Sequence, residues 1–426
     1  MCDAEWFGDN CDFHVLTANN FLPRHDPNER IPGRQAQVAA FLRSTSVLVK
    51  HVDNLQHGHD CARAGDCRPL HVVMEGRGFG SWVHHMVGAL THALSHNLTL
   101  VPRYPYDYFL HDGCPTRTHS EMEVEDAGCY FEPVVSGISE EALQQDSDRS
   151  IKLSHFWKTY LPPPSARSIY GEAAGIFWWN VEVVKYIMSP NRRLSAMKTR
   201  YKHLLGWPDQ GQGRVVGVHI RHGDACAGWR QGVMHHSELM PCAFCLDFEA
   251  HVIPAIDLMV KAYGATHVFV ATDDPAVLEE ISKPPDGTRT LPSGEAVRWL
   301  GGAAQRHFLQ SDTNYDVAMR IGVLDRRMTA ESAVLDALLL GDCHYFIGQL
   351  SGEFSRLAFE LSMASKGYVA PFMSLDTYAW APRYGLAHIP RWWERSSPFD
   401  FEEVIALKRN VSVESVRVII DESAAL

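Results

Sequence analysis

The sequence has no uninterrupted run of about 18 apolar residues, the length a helix needs to cross a bilayer, so it offers no transmembrane pattern and no secretory hydrophobic segment. It has little like-charge clustering, with no single-sign block longer than about four residues, and no surplus of base. Its 39 Lys and Arg stand against 51 Asp and Glu, a formal net charge of −12. That excludes a chain-wide footprint for nucleic acid or an anionic membrane and leaves room only for a local basic pocket. Internal repeats and low-complexity tracts are absent too, which excludes solenoids and compositionally biased tails.

What is present is a large globular composition. The 426 residues are 46% hydrophobic, enough for a substantial core and for two to three domains on the usual length prior. The ten cysteines fall partly in close pairs, Cys2 with Cys11, Cys61 with Cys67, Cys114 with Cys129, Cys242 with Cys245. Clustered, even-numbered cysteines in loop-like sequence read as disulfides of an oxidising compartment, with scattered free thiols in a cytosolic protein as the alternative. The opening MCDAEWFGDNC has the Trp-Phe-Gly-x-x-Cys look of the tail of an EGF-like module. The chain is therefore expected to be a fragment whose signal or anchor segment is not included. The sequons at Asn97 and Asn410 suit a secretory protein, although Asn97 abuts an expected strand, where burial is the alternative.

Along the chain, residues 1–60 are irregular. From Leu70 an apolar run, LHVVME, leads into the glycine loop GRGFG (76–80). Val83, Met86, Val87, Leu90 and Leu94 then fall on one helical face, and NLTLVP reads as the next strand. Residues 103–165 are loop-rich. Residues 173–204 read as two helices broken at Pro190, with Trp178 and Trp179 as core. A second α/β series begins after GQG (211–213), with strands at 214–220, 267–272 and 344–348, each followed by a helical pattern, and a last strand in GYVAPF. The expected division is an N-terminal segment 1–60, Rossmann-like lobes at 61–205 and 206–375, and a tail 376–426 packing back on them.

The stretch GRVVGVHIRHGDACAGWR (213–230) carries the chemistry. An apolar run from Val215 to Val218 ends abruptly in His219, Arg221, His222 and Asp224. Parallel strands are buried on both faces and gather ligands at their carboxyl ends. Arg221 suits a diphosphate, because its planar fork stays charged and donates bidentate bonds; an Arg–Asp pair closing a loop is the alternative. Two further strand ends match. FVATDDPAVLEEI places Asp273 and Asp274 before Pro275 at a helix start. HYFIGQLSGEFSRLAFEL places Gln349–Gly352 before a helix whose core face is Phe354, Leu357, Ala358 and Leu361. There Ser351 is a candidate cap, and the helix N-terminus attracts phosphate. With GRGFG opposite, these strand ends describe a two-lobed cleft for a nucleoside diphosphate. Asp273 and Asp274 are adjacent and face opposite ways, so they are not read as a metal site. His84 and His85 are read as packing and loop contacts, and CAFC with His235 and His236 as disulfide-forming sequence rather than half a zinc site.

Five ordered segments resemble the α1,6-fucosyltransferases of glycosyltransferase family 23. GVHIRHGD is similar to their His-x-Arg-Arg-x-Asp segment. DCARAGDCRPLHVVMEGRGFGSWVHHMVGAL is similar to their cysteine-containing glycine loop, and FWWNVEVVKYIMSP to their Trp-Trp helix. VFVATDDPAVLEE and AVLDALLLGDCHYFIGQLSGEFSRLAFEL are similar to their donor-lobe strand ends. The resemblance covers roughly residues 60–375. It implies a GT-B fold, α/β with two Rossmann-like lobes about a cleft, and a GDP-fucose donor with no required metal and no other cofactor. It also implies that Arg221 holds the diphosphate and that His219 and Asp336 contact the guanosine. Ser351 and Gly352 would meet the β-phosphate, Gly78, Phe79 and Gly80 would close from the first lobe, and Asp273 would bond the nucleotide or brace the strand end. A disulfide at Cys61 is implied as well, first to Cys114, with Cys67 and Cys129 as further candidates.

This sequence departs from the family at informative positions. His222 stands for the second Arg, a titrating charge in place of a permanent one. Gly348 and Ser355 stand where the family has cysteines flanking the donor loop. The acceptor-side Lys and Glu have no match between Ala225 and Cys245. The donor's β-linked GDP and an α-linked product require inversion, which needs a carboxylate near the acceptor hydroxyl and positive charge at the departing phosphate. Glu238 is the expected base and Asp224 the alternative. The expected acceptor is a glycan or glycoprotein, first the innermost GlcNAc of an N-glycan with α1,6 linkage. Another glycan or a protein acceptor, or a non-catalytic homologue that binds nucleotide sugar or glycan, are the alternatives. The expected location is the Golgi lumen, with membrane association only through a missing anchor and no nucleic-acid partner.

Overall fold

The computed structural model describes residues 48, 49, 52, 56, 69–73, 78–102, 116–119, 122–125, 127–132, 134, 151–152, 172–222, 246–284, 286–300, 325–350, 352–368 and 370–375. β1 (Pro69–Val73) runs into α1 (Phe79–Ser95), which returns to β2 (Thr99–Pro102). A hairpin of β3 (Thr116–His119) and β4 (Met122–Glu125) follows, then the short β5 (Ile151–Lys152). The helices α2 (Glu172–Ile187) and α3 (Arg192–Leu205) are separated at Pro190, as the sequence predicts. The second series is β6 (Val215–Ile220), α4 (Ile253–Tyr263), β7 (His267–Thr272), α5 (Pro275–Ser282), β8 (Thr288–Thr290), β9 (Ala296–Leu300), α6 (Arg326–Asp342), β10 (Tyr345–Gly348), α7 (Glu353–Lys366) and β11 (Phe372–Ser374).

These strands form a parallel three-stranded sheet of order β2-β1-β5 and a six-stranded sheet of order β11-β10-β6-β7-β9-β8. The larger sheet is parallel except where β8 joins β9. The α/β class expected of the sequence is the class observed. All six residues of β6 are buried, the pattern of a parallel strand covered on both faces. Val216, Val218 and Ile220 pack with Val268, Val270 and Ile347 beneath α4 and α5. Val215 faces the other way, with Phe269, Phe346 and side chains of α2, α6 and α7. Gly217 lies on that second face, where a Cβ would sit 2.7 Å from Sγ of Cys343, the C-cap of α6. By the period-2 rule, His219 belongs to the same face.

The helical layer is shared. Trp179 and Val183 of α2 pack with α1, β1 and β2, while Phe177, Trp178 and Val181 pack under the large sheet. Trp178 and Trp179 are core, as expected, and the Trp179 indole donates to Thr91 Oγ1 at 2.8 Å.

Two local expectations are corrected. The helix after the glycine loop begins inside it, at Phe79, with Gly78 as N-cap. The last strand starts only at Phe372, the final residue of GYVAPF: Gly367 closes α7 at φ 72°, and Pro371, which lacks an amide hydrogen, precedes the ladder. β8 and β9, short and interrupted, were not read from the pattern. Asn97 is exposed, in a turn at φ 53° between α1 and β2. Cys129 is disulfide-bonded, and Cys343 is a buried free thiol. Cys61, Cys67 and Cys114 lie outside the described residues.

Candidate functional site

Strand register sets the site. Gly348 pairs with His219 across β10 and β6, and His219 pairs with Ala271 across β6 and β7. The carboxyl ends of three neighbouring strands are therefore level, and the first residues beyond them, Arg221, Asp273 and Gln349, come side by side. Gln349 Oε1 accepts from the Arg221 amide at 3.0 Å, and Asp273 Oδ1 accepts from the His222 amide at 2.7 Å.

Arg221 Nη1 is 3.8 Å from Asp273 Oδ2, an ion contact too long for a hydrogen bond, and its side chain is about one-third exposed. Asp273 thus braces the strand end and orients the guanidinium. The His222 ring meets acceptors at both nitrogens, Asp274 Oδ2 at 2.6 Å and the Leu246 carbonyl at 2.7 Å. Asp274 Oδ1 also caps α5, accepting from Ala276 at 2.9 Å, with Pro275 in the first helical position as predicted. Asp273 Oδ1 and both oxygens of Asp274 thus meet partners at the strand ends.

His219 is buried. Its ring stacks on Phe354 with centroids 4.7 Å apart, and Nδ1 lies 2.5 Å from Ser355 Oγ. Burial, reinforced by the Arg221 charge, pushes its pKa down to about 3, so the ring is neutral at physiological pH. Ser355 Oγ also accepts from the Gln349 amide at 3.2 Å, and the Gln349 carbonyl accepts from Gly352 at 2.9 Å.

The first turns of α1 and α7 meet here. A Cβ on Gly80 would fall 2.5 Å from the Glu353 carbonyl carbon and from the Phe354 nitrogen, so only glycine permits this approach. Phe79 and Phe354 have ring centroids 6.3 Å apart. Two helix N-termini, each with a positive dipole end, are thereby brought together. Glu353, in the first turn of α7, would oppose an anion there, but it is offset. His84 Nδ1 lies 2.7 Å from Glu353 Oε2, and Arg356 pairs with Glu353 Oε1. His84 Nε2 meets Glu360 Oε2 at 3.0 Å. Burial alone would lower the His84 pKa, but the Glu360 and Glu353 carboxylates outweigh it and raise it to about 9. Burial likewise works to raise Glu353, but Arg356 and His84 hold it well below the usual carboxylate range. His84 is thus an ion-pair member between α1 and α7, a stronger role than the packing expected of it.

No family model and no curated protein matches the chain. It is similar to the crystal structure of NodZ α-1,6-fucosyltransferase soaked with GDP-fucose, at 16% identity and a TM-score of 0.36, covering 69% of this chain and 93% of that one. It is also similar to POFUT1 in complex with GDP, at 14% identity and a TM-score of 0.38, covering 72% and 98%. A third is fucosyltransferase NodZ from Bradyrhizobium, at 15% identity and a TM-score of 0.36, covering 68% and 92%. At these identities and TM-scores the likenesses assign no residue a role.

Of the expected site residues, the structure brings Arg221, His222 and Asp273 together at one strand end, and places His219, Gly352, Phe79 and Gly80 around the first turns of α1 and α7. Gly78 is exposed at the start of α1, and Asp336 is half-buried on α6. The expected helix cap is corrected: Gly352 is the N-cap of α7, without a side-chain cap bond, because the chain turns one residue later than expected. Ser351, Glu238 and Asp224 lie outside the described residues. Sequence reasoning missed the roles of Gln349 and Ser355 and the ion cluster. A charge stripe was there to read, since Glu353, Arg356 and Glu360 recur at i, i+3 and i+7 on an otherwise apolar helix.

Proposed function

We propose that the chain is an inverting GT-B glycosyltransferase that transfers L-fucose from GDP-fucose to a glycan. The observation that carries this reading is the convergence, at three level strand ends, of the Arg221 guanidinium with the abutting first turns of α1 and α7. The arrangement suits a diphosphate: a permanent planar cation beside two dipole ends. The five ordered segments resembling the α1,6-fucosyltransferases support GDP-fucose as the donor. The innermost GlcNAc of an N-glycan with α1,6 linkage is the acceptor proposed first, with another glycan or a protein acceptor as the alternative, and lobes at 61–205 and 206–375 and residence in the Golgi lumen are proposed with it.

In the proposed reaction the acceptor hydroxyl oxygen attacks the fucose anomeric carbon as the bond from that carbon to the β-phosphate oxygen breaks. The hydroxyl proton passes to a carboxylate, for which Glu238 is proposed with Asp224 as the alternative, and GDP departs. Arg221, oriented by Asp273 and anchored through its own amide to Gln349, stabilises the charge that develops on the leaving phosphate. His219 and Asp336 are proposed to contact the guanosine, Ser351 and Gly352 the β-phosphate, and Gly78–Gly80 to close over it. No metal is assigned a part, because Arg221 and the helix ends supply the positive charge.

The test is incubation with GDP-fucose, alone and with a panel of N-glycan, other glycan and protein acceptors, following GDP release and product mass. Acceptor-dependent GDP release with addition of one fucose supports the proposal, and the productive acceptor decides the linkage. Absence of GDP release with every acceptor would leave a binding protein.

A further inference from the structure

His219 holds a place in the β6 alternation that faces α7 and would ordinarily take an apolar side chain. It is buried to 7% exposure, yet only one of its ring nitrogens is partnered among the described residues, Nδ1 by Ser355 Oγ at 2.5 Å. The direction of that bond follows from Ser355's other partner. The Gln349 amide can only donate, and it donates to Ser355 Oγ at 3.2 Å. Ser355 is fully buried, and among the described residues its hydroxyl meets the Gln349 amide, a donor only, and His219 Nδ1, so Nδ1 is the acceptor open to the hydroxyl proton and is assigned as unprotonated. A neutral imidazole with Nδ1 bare carries its one proton on Nε2.

We infer that Ser355 is a positioning residue that locks His219 in the Nε2–H tautomer, so that the ring presents a hydrogen-bond donor, and never an acceptor, to the ligand at the carboxyl end of β6. Ser355, 136 residues away in sequence, touches no ligand in this scheme and acts only through the ring. The stack on Phe354 holds the ring plane, and Gln349 ties the same hydroxyl to the amide of Arg221. One buried chain of bonds thus sets the position of the cationic strand end and the polarity of the donor beside it. Such a donor selects an acceptor atom on the ligand, such as a carbonyl, ring-nitrogen or phosphate oxygen acceptor of a nucleoside diphosphate, and rejects a group that can only donate.

The inference rests on the donor-site reading above, and the experiment separates the two. Protein labelled with 15N at histidine is observed by long-range proton–nitrogen correlation between about pH 5 and 8, with the His219 signal identified by its loss in His219→Gln, and GDP affinity is measured in parallel. The wild type should show a neutral Nε2–H ring throughout. In Ser355→Ala the Nδ1–H form should become populated, and GDP should bind roughly three- to tenfold more weakly, the effect of one mispositioned neutral hydrogen bond. Ser355→Cys, which keeps the side-chain volume and a weaker donor, should fall between. A wild-type ring protonated at Nδ1 would overturn the inference. So would Ser355→Ala with the wild-type tautomer, or with a changed tautomer and unchanged GDP affinity. A wild type that shows the Nε2–H ring and binds no GDP would overturn the nucleotide reading while upholding the tautomer lock.

Discussion

His84→Ala is expected to destabilise the chain by about 3–5 kcal/mol, the usual cost of removing one partner from a buried charge pair. Glu360 is fully buried and Arg356 nearly so, and the His84 ring bridges Glu360 and Glu353, so its loss strips positive charge from two carboxylates at once. The pH response gives a sharper signature. The His84 pKa rises from 6.5 to about 9 on folding, so between those values the native state binds more protons than the unfolded state. Stability from this group is therefore fully present below pH 6.5 and is lost as pH climbs through about 9. A shift of that size corresponds to about 3 kcal/mol. Urea unfolding of wild type and His84→Ala at about pH 6 and about pH 9.5 would measure it, the difference between the two proteins isolating the histidine from all other titrating groups. The wild type should lose about 3 kcal/mol more than the variant on going to the higher pH. An equal pH response in both, or a penalty for His84→Ala below about 1 kcal/mol at the lower pH, would refute a charged bridge between α1 and α7.

Other outcomes follow from the same contacts. Gly80→Ala should destabilise by about 1–3 kcal/mol or more, because the new methyl meets rigid backbone of Glu353 and Phe354 at 2.5 Å; thermal unfolding measures it, and an unchanged midpoint would mean that α1 and α7 do not touch there. Transfer should persist in EDTA, since Arg221 and the helix N-termini provide the charge at the phosphate; abolition by EDTA would point to a required cation. Glu238→Gln should cut turnover strongly while leaving GDP affinity nearly unchanged, because a base at the acceptor is not a donor contact. A fully active variant would move the base to Asp224 or elsewhere.

How much was legible in the sequence depended on the range of the interaction. β6, β7 and β10 were legible because strands buried on both faces are continuous apolar runs, and their polar ends because nothing apolar ends in His219, Arg221 and His222 without a reason. The α5 start was legible because Asp274 and Pro275 are a local cap signal. Ser355 looked like no more than a small residue in a helix; its partners are His219 and Gln349, and the former is 136 residues away. His84 was read as packing because a histidine pattern alone does not disclose the Glu353 and Glu360 carboxylates 269 and 276 residues on. The start of α1 at Phe79 was read as loop because Gly78 and Gly80 look like loop residues, whereas Gly80 serves a close helix–helix approach. β8 and β9 escaped because three- and five-residue strands carry too few alternations to register.

The central claim, a nucleoside diphosphate held at Arg221, is tested most directly by calorimetric titration of GDP into the wild type and Arg221→Ala. The account predicts saturable binding by the wild type and affinity about 10- to 100-fold weaker in the variant, the loss of a charge-assisted contact to phosphate. Equal affinity in the two proteins, or no binding by the wild type, would contradict it.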